Sequence, residues 1–173
     1  MITINPINTN QLTTILPSLS ELLLDAVDGG ASIGFLLPMS ADVAENYWRE
    51  VQFVVAKETV ILLVAYQNEQ LVGTVQLALI TKPNGSHRAE VQKLLVHRKA
   101  RRQGVGRALM QAIEQVAQTH SRSLLVLDTR LGDPSEQLYR QIGYSRLGVI
   151  PDYARSTNGR LDDCVFFYKN LTF

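Results

Sequence analysis

The sequence predicts a mixed α/β fold, with a central sheet of about seven strands and four helices. Apolar runs of strand length recur along the chain, and segments with helical apolar spacing separate several of them. The length supports the same prediction, because 173 residues with 46% hydrophobic content fit one domain with a sizeable core. We therefore expect a single domain over residues 1–173, without internal repeats or a dividing linker.

The N-terminal part of the chain predicts a strand and two helices. Residues 2–6 have the composition of a short first strand, and the helix after them keeps one apolar face until Asp28-Gly29-Gly30 stops it. Ser40 is placed to cap a second helix. The face that this helix buries is predicted to carry Ala44, Tyr47, Trp48 and Val51.

The middle of the chain predicts a hairpin and then a strand–helix–strand unit. Residues 59–66 and 71–80 have strand character and are separated by a turn at residues 67–70. Residues 87–97 predict the next strand, an amphipathic helix follows, and Ser123–Asp128 predicts a short buried strand. A strand, a helix and a strand in this order are expected to form a right-handed parallel crossover.

The C-terminal part predicts a fourth helix and two strands. Asp133 is expected to cap the helix, with Pro134 at its first position, Glu136 completing a capping box and Gly143 ending it. The last two strands are predicted at about residues 144–150 and 162–170.

A basic, glycine-bearing turn lies between the strand ending near Val96 and the amphipathic helix, and it reads Arg101-Arg102-Gln103-Gly104-Val105-Gly106-Arg107. Glycines let backbone amides approach a ligand closely, and a helix N-terminus adds free N–H groups and partial positive charge. Two common phosphate motifs do not fit, because no Lys follows Gly106 and Leu109 stands where a third Gly would be needed. We interpret the turn as a polyphosphate site; the competing interpretation is a tight turn whose arginines are solvated.

Charge and composition exclude several classes of partner. The 17 basic and 16 acidic side chains give a net charge of +1, so no global field recruits nucleic acid. The basic segment His97–Arg107 is interrupted by Gly-x-Gly and joined to a helix, which favours a compact phosphate ligand. No apolar run approaches the ~18 residues of a membrane span, and we expect no secretion signal at the N-terminus.

The remaining reactive residue types do not form a recognisable centre in the sequence. Cys164 is the single cysteine, which suits a reducing cytoplasmic location, and its alternating surroundings predict a strand position rather than a nucleophile. His87, His97 and His120 lack metal-ligand spacing, so no metal is expected. His120 is expected to end the third helix, where partial positive charge is favourable.

The pattern Arg-x-x-Gly-x-Gly resembles the acetyl-CoA motif of the GCN5-related N-acetyltransferases, the GNAT superfamily. The predicted order of elements is the order of that fold, and Leu138–Tyr144 resembles its Leu-Tyr-x-x-x-Gly-Phe/Tyr element. More narrowly, three segments resemble the branch that contains the tabtoxin resistance acetyltransferase: Gly30–Phe35, Val91–Leu94 and Leu127–Thr129. The chain departs from the family at Gly132, where an Asn often contacts the cofactor arm; Asp133 is a partial substitute at best.

The resemblance implies acetyl-CoA as cosubstrate, bound by a splayed pair of central parallel strands. Backbone groups of Leu94, Leu95 and Val96 would hold the pantetheine arm. The pyrophosphate would lie on the glycine turn. The residues of that turn expected to bind it are Arg101, Arg102, Gln103, Gly104, Val105, Gly106 and Arg107.

Direct acetyl transfer needs a base for the attacking amine and an acid for the departing thiolate. Glu90 stands where some relatives place a base that acts through water; the competing interpretation is a surface or salt-bridged Glu. Asp128 is an alternative base or a binder of a cationic substrate, unless it only caps or forms a salt bridge. Tyr139 corresponds to the family's acid, and packing as a helix aromatic is the competing interpretation.

The acceptor is expected between the loops Gly29–Ser40 and Pro151–Leu161, where the family builds its acceptor pocket, unless both are ordinary surface turns. Their mixed charged and aromatic groups favour a small, zwitterionic or amino-acid-like amine. The resemblance to a toxin-resistance enzyme also implies a toxin or an antibiotic as acceptor, and we expect a monomer or homodimer. Two alternatives stay open: a non-catalytic CoA-binding sensor, and an acetyltransferase for protein N-termini or lysines, which needs an open groove. The side chains that the loops offer are Ser32, Phe35, Met39, Asp152, Tyr153, Arg155, Asn158 and Arg160.

Overall fold

Seven strands and four α-helices make up the structure, a computed structural model that describes residues 1–172. The strands are β1 (Ile2–Ile7), β2 (Val60–Gln67), β3 (Gln70–Leu79), β4 (Arg88–Val96), β5 (Leu124–Arg130), β6 (Ser145–Arg155) and β7 (Leu161–Asn170). The helices are α1 (Thr9–Asp28), α2 (Ala41–Ala56), α3 (Val105–Thr119) and α4 (Pro134–Gln141). All strands join one sheet in the order β1-β2-β3-β4-β5-β7-β6, which confirms the predicted mixed α/β architecture.

Local signals fix most element ends as predicted. Ser40 Oγ accepts a hydrogen bond from the backbone N–H of Val43 at 3.4 Å and caps α2. The β2–β3 hairpin turns at Asn68 and Glu69, both with positive φ, as a two-residue turn requires. One signal was missed: Asn8 and Gln11 form a capping box that starts α1 several residues before its apolar stripe.

Helices cover both faces of the sheet. On one face, α1 and α2 pack around Trp48, whose indole N–H donates to the carbonyl of Leu19 at 2.9 Å. On the other face, α3 and α4 pack in a second core with β5 and β7. Gly73 of β3 lets α3 approach, because a Cβ there would meet Val105 Cγ1 at 3.1 Å and Leu95 O at 2.9 Å. The N-terminus of α3 is thereby held against the end of β4.

The parallel pair β4–β5 separates after a short common stretch. Its ladder runs from Arg88 opposite Leu124 to Glu90 opposite Val126 and ends there. Beyond this point a bulge in β4, with Lys93 at φ 50°, shifts the register against β3. The predicted splay of the central parallel strands is therefore present, and it opens a gap between β4 and β5.

Two sequence predictions were wrong in detail. Asp133 precedes α4 but makes no capping bond, because Arg130 engages its carboxylate at 2.8 Å and Glu136 accepts from the N–H of Gly132 instead. Strand β6 continues to Arg155, five residues past the predicted end at residue 150, because an irregularity after Ile150 absorbs the break and pairing with β7 resumes.

Candidate active site

The gap between β4 and β5 exposes backbone groups in the middle of the sheet. On its other edge β4 stays paired with β3, through Leu95 opposite Thr74 and Val96 opposite Gly73. On the β5 side the ladder has already ended, so the groups of residues 94–96 that face the gap have no strand partner. The three residues predicted to bind an extended ligand arm therefore lie along this opening.

At the end of the gap, the glycine turn presents a row of backbone donors. Within residues 1–172, no backbone N–H from Arg102 to Arg107 donates to a protein group. Arg102 and Gly104 both adopt left-handed backbone, with φ of 63° and 86°. Left-handed residues beside a helix N-terminus aim successive N–H groups at one point, which is the geometry of an anion nest.

The side chains of the turn form hydrogen bonds that stabilise its conformation. Arg101 Nε donates to the carbonyl of Val96 at 3.1 Å, and Arg107 Nη2 donates to Gln141 Oε1 at 2.8 Å. Gln103 accepts from Gln67 of β2, while Val105 is buried and can offer a ligand only its backbone. These contacts fix the loop without consuming its N–H groups.

Two carboxylates lie on the same face of the sheet beside the gap. Ala89, Val91, Leu125 and Leu127 point into the core under α3, so the alternating neighbours Glu90 and Asp128 point to the α1–α2 side. Asp128 remains open to solvent, but the surrounding protein partly desolvates it and raises its pKa. The negative charge of Glu90 raises that pKa further, and the ammonium of Lys93 opposes the rise.

Lys93 is a functional candidate that the sequence analysis missed. Its half-buried side chain leaves the β4 bulge on the carboxylate side, where it interacts with Asp128 and Glu90. Desolvation lowers the pKa of the Lys93 ammonium, while the two carboxylates hold it up. The only signal in the sequence is a weak one, because Gln92 and Lys93 are two successive polar residues and so break the alternation of the strand before Leu94.

Tyr139 lies in α4, on the opposite face of the sheet. Its ring packs against Tyr144 and Phe167, with centroids 5.9 and 5.8 Å away, so it is a core aromatic. Burial raises its pKa well above the usual range, and the charge of Asp128 adds to the rise. The hydroxyl is therefore protonated at neutral pH, and within the described chain it has no hydrogen-bond partner.

The two loops predicted to form the acceptor pocket touch each other. The backbone N–H of Leu37, after α1, donates to the carbonyl of Thr157, in the β6–β7 turn, at 3.2 Å. The first loop also packs against α2, because the ring of Phe35 contacts that of Tyr47 edge-on, with centroids 5.2 Å apart. Gln76 of β3 donates to the Tyr47 hydroxyl at 2.9 Å, and burial raises the pKa of Tyr47 to about 12.

Several predicted acceptor residues stabilise the β6–β7 hairpin itself. Arg155 donates to the carbonyl of Gly159 at 2.6 Å, and Asn158 accepts from Ser156 and from the backbone of Arg160. Tyr153 packs on Phe166 with centroids 5.1 Å apart. Asp152 and Tyr153 lie in β6 and not in a loop. Ser32, Met39 and Arg160 keep positions in the two loops.

The remaining residues singled out in the sequence lie in β7 and before α4. Cys164 is buried in β7, and burial raises the pKa of its thiol to about 11. Gly132 adopts left-handed backbone before α4, and Asp133 is engaged by Arg130 rather than directed at the gap.

Among residues 1–172, no helix is long and apolar enough to span a membrane, and no cluster of three or more potential metal ligands occurs.

Comparisons with known proteins agree with this geometry. Residues 23–144 match the model of the Acetyltransferase (GNAT) family. A curated relative, an uncharacterized N-acetyltransferase in the hisH-hisA intergenic region of Azospirillum brasilense, is 31% identical over 108 residues. This match covers 61% of the present chain and 62% of the relative, so it spans less than two thirds of that protein's length.

Solved structures show the same fold over almost the whole chain. Ribosomal-protein-alanine N-acetyltransferase from Brucella melitensis superposes with a TM-score of 0.82 at 22% identity, covering 98% of this chain and 99% of that one. The structure of yncA from Salmonella typhimurium with its cofactor acetyl-CoA gives a TM-score of 0.78 at 17% identity, covering 99% and 94%. At these identities the likeness establishes the fold alone.

Proposed function

Because the chain belongs to the acetyltransferase (GNAT) family, we propose that it transfers the acetyl group of acetyl-CoA to the amine of a small molecule. The observation that carries the proposal is the continuity between the β4–β5 gap and the unpaired N–H groups from Arg102 to Arg107. An extended ligand with a pyrophosphate at one end fits both parts at once. The toxin-resistance branch remains a prediction that rests on sequence resemblance alone.

The residues along the gap supply the groups that acetyl-CoA needs. The donors of the glycine turn would take the pyrophosphate, with Arg101, Arg102 and Arg107 adding positive charge around it. The amides of the pantetheine arm would pair with the backbone groups of residues 94–96 that face the gap, where Arg101 would have to release the Val96 carbonyl for that group to take part. The thioester would then lie between the carboxylates on one face and Tyr139 on the other.

The reaction proposed at this point is direct transfer. The amine nitrogen attacks the thioester carbonyl carbon, and a new C–N bond replaces the C–S bond. Asp128 holds the amine as a cation, and Glu90 takes one of its protons through a water molecule so that the neutral amine can attack. A second proton leaves the nitrogen to solvent as the amide forms. Tyr139 donates its hydroxyl proton to the departing sulfur and regains a proton from solvent; its raised pKa keeps the hydroxyl protonated before the transfer but also makes it a weaker acid than an exposed tyrosine.

The loop contact favours a small acceptor over a protein chain. A protein N-terminus or lysine needs an open groove between the α1–α2 loop and the β6–β7 turn, but the bond between Leu37 and Thr157 joins these segments directly. The retention of Glu90, Asp128 and Tyr139 around the gap favours an enzyme over a non-catalytic CoA sensor, which would need none of them.

The test is release of CoA thiol from acetyl-CoA in the presence of single amines. We expect turnover with one or more small amines, and far slower turnover with peptides that present the same amine as an N-terminal residue or a lysine. A preference for the peptides would assign the open-groove alternative. Tight binding of acetyl-CoA, with no acetyl transfer to small amines or peptides, would support the sensor and overturn the enzyme.

A further inference from the structure

Lys93 carries an ammonium group that the protein itself leaves without a direct partner. Within residues 1–172, its Nζ makes no hydrogen bond, and no carboxylate oxygen lies within the 4.0 Å of an ion pair. The residue is half-buried, yet the nitrogen is not enclosed by protein. A partly desolvated charge without a partner is costly, and an anionic ligand group would reduce that cost.

The backbone places this ammonium at the acceptor site rather than on the outer surface. Lys93 occupies the bulge that opens the β4–β5 gap, three residues after Glu90, and its positive φ turns it out of the strand's alternation. Lys93 Nζ lies beside Gly34 of the α1–α2 loop, which puts it on the same side of the sheet as Glu90 and Asp128, and it interacts electrostatically with both carboxylates. One cation and two anions therefore surround the position where the amine would react.

The α1–α2 loop covers the same ammonium. A Cβ built on Gly34 would lie 3.9 Å from Lys93 Nζ, so the loop backbone passes directly over it. Two contacts fix this part of the loop. The adjacent Phe35 packs on Tyr47, and the Tyr47 hydroxyl accepts a hydrogen bond from the buried Gln76. We call the space between Lys93 Nζ and the loop backbone at Gly34 the acceptor compartment.

We propose that Lys93 binds the carboxylate of the acceptor, and that the acceptor is therefore an amino acid or a similar zwitterionic amine. The inference rests on the proposed acetyl transfer and specifies its substrate class. The carboxylate pairs with Lys93 while the amine faces Glu90 and Asp128, so the acceptor's charges match those of the compartment. Oriented binding of this kind presents the amine, and not another nucleophile, to the thioester.

The test uses amino acids and the amines that differ from them only by loss of the α-carboxylate. Suitable pairs are lysine and cadaverine, ornithine and putrescine, arginine and agmatine, histidine and histamine, and tyrosine and tyramine. We expect kcat/KM for the best amino acid to exceed that for its decarboxylated partner by about tenfold or more, the value of one charge-assisted contact.

Three variants distinguish binding of the acceptor carboxylate by Lys93 from a non-specific effect of removing a positive charge. Lys93→Met keeps an unbranched side chain and should raise KM for the amino acid, with KM for the decarboxylated amine unchanged. Lys93→Arg keeps the charge and should restore most of the preference. Lys57→Met removes an exposed lysine after α2 and should leave the preference intact. Unchanged acetyl-CoA affinity and thermal unfolding would show that each variant is folded.

Each contrary result has its own meaning. Equal rates for amino acids and their decarboxylated partners would overturn the carboxylate site while leaving acetyl transfer established. An equal loss for both members of a pair in Lys93→Met would also overturn it, since Lys93 would then act only on the nearby carboxylates. Absence of transfer to every amine would overturn the proposed function itself.

Discussion

Asp25, near the end of α1, accepts two 2.8 Å hydrogen bonds from Arg98, one from its backbone N–H and one from its guanidinium. Arg98 lies two residues after the end of β4 and begins the short 3₁₀ helix that leads into the glycine turn. His97 lies close by, with Nε2 at 3.7 Å from the same carboxylate. The first helix thereby holds one end of the proposed pyrophosphate site, although the two segments lie 73 residues apart in sequence.

This contact should make stability depend on pH. Burial alone would raise the pKa of Asp25, but the bonds from Arg98 and the positive charge of His97 outweigh it and hold the pKa below 3.8. A lowered folded-state pKa stabilises the fold above pH 3.8, and this contribution disappears as pH falls through the folded-state pKa. Asp25→Asn should therefore lose stability at neutral pH and show a flatter acid decline in thermal unfolding. Glu21→Gln, exposed on the same helix, should behave like the wild type.

Gly106 should be required for the ligand rather than for the fold. A Cβ there would meet Leu138 at 3.4 Å and Val96 at 3.8 Å, which are ordinary contacts, and a valine would add bulk beside the unpaired N–H groups of the turn. Gly106→Val should lower acetyl-CoA affinity in calorimetry by at least tenfold, about 1.4 kcal/mol. Gly148→Val in β6, where nothing lies within 4 Å, is the matched control. Wild-type affinity in a folded Gly106→Val variant would exclude the turn from the binding site.

The variant Tyr139→Phe should distinguish a catalytic role of the hydroxyl from a packing role of the ring. The ring contacts with Tyr144 and Phe167 remain, so the thermal midpoint should change little, while kcat falls on the order of 10²-fold through loss of the acid. Tyr144→Phe removes the fully buried hydroxyl of the neighbouring ring, which lies beside Glu114 and away from the gap, and should leave kcat near the wild-type value. Equal kcat in both variants would restrict Tyr139 to packing.

Matched pH–rate profiles should distinguish the two carboxylates. Glu90→Gln should lower kcat/KM most near neutral pH and recover as pH rises, because free amine then becomes abundant without a base. Asp128→Asn should mainly raise KM, since it removes a charge that holds the cationic amine. Glu90→Gln also removes a repulsive neighbour, so the pKa of Asp128 should fall. A pH-dependent kcat loss in Asp128→Asn alone would exchange the two roles.

Hydrophobic periodicity predicted the elements because burial on one face dominates their stability. The stripe of α3 from Val105 to Ala117 is largely buried, and the hairpin turn follows from the polar run at residues 67–70. The end of β6 was not predictable in this way. Pro151 and Asp152 are typical of a turn, and only the register with β7 carries the strand past them.

The site was predictable where it depends on backbone and not where it depends on tertiary packing. Gly104 identifies the donor turn because glycine adopts its left-handed backbone without strain, whereas Arg102 adopts the same conformation without any such signal. The position of Lys93 depends on a bulge at a non-glycine residue, for which local sequence has no clear signal. The contact of Leu37 with Thr157 joins two loops through backbone groups alone, so it does not depend on particular side chains and cannot be predicted from the sequence.

The separation of β4 from β5 gives this sheet a third edge, in addition to the outer edges at β1 and β6. Unpaired edges are where sheets recruit foreign strands and where proteins self-associate. This inner edge is recessed between two layers of helices, so a slender extended chain can reach it while a second sheet cannot. The unpaired backbone groups of this inner edge are therefore available to a ligand. They are also protected from the edge-to-edge aggregation that an exposed outer strand of the same length would promote.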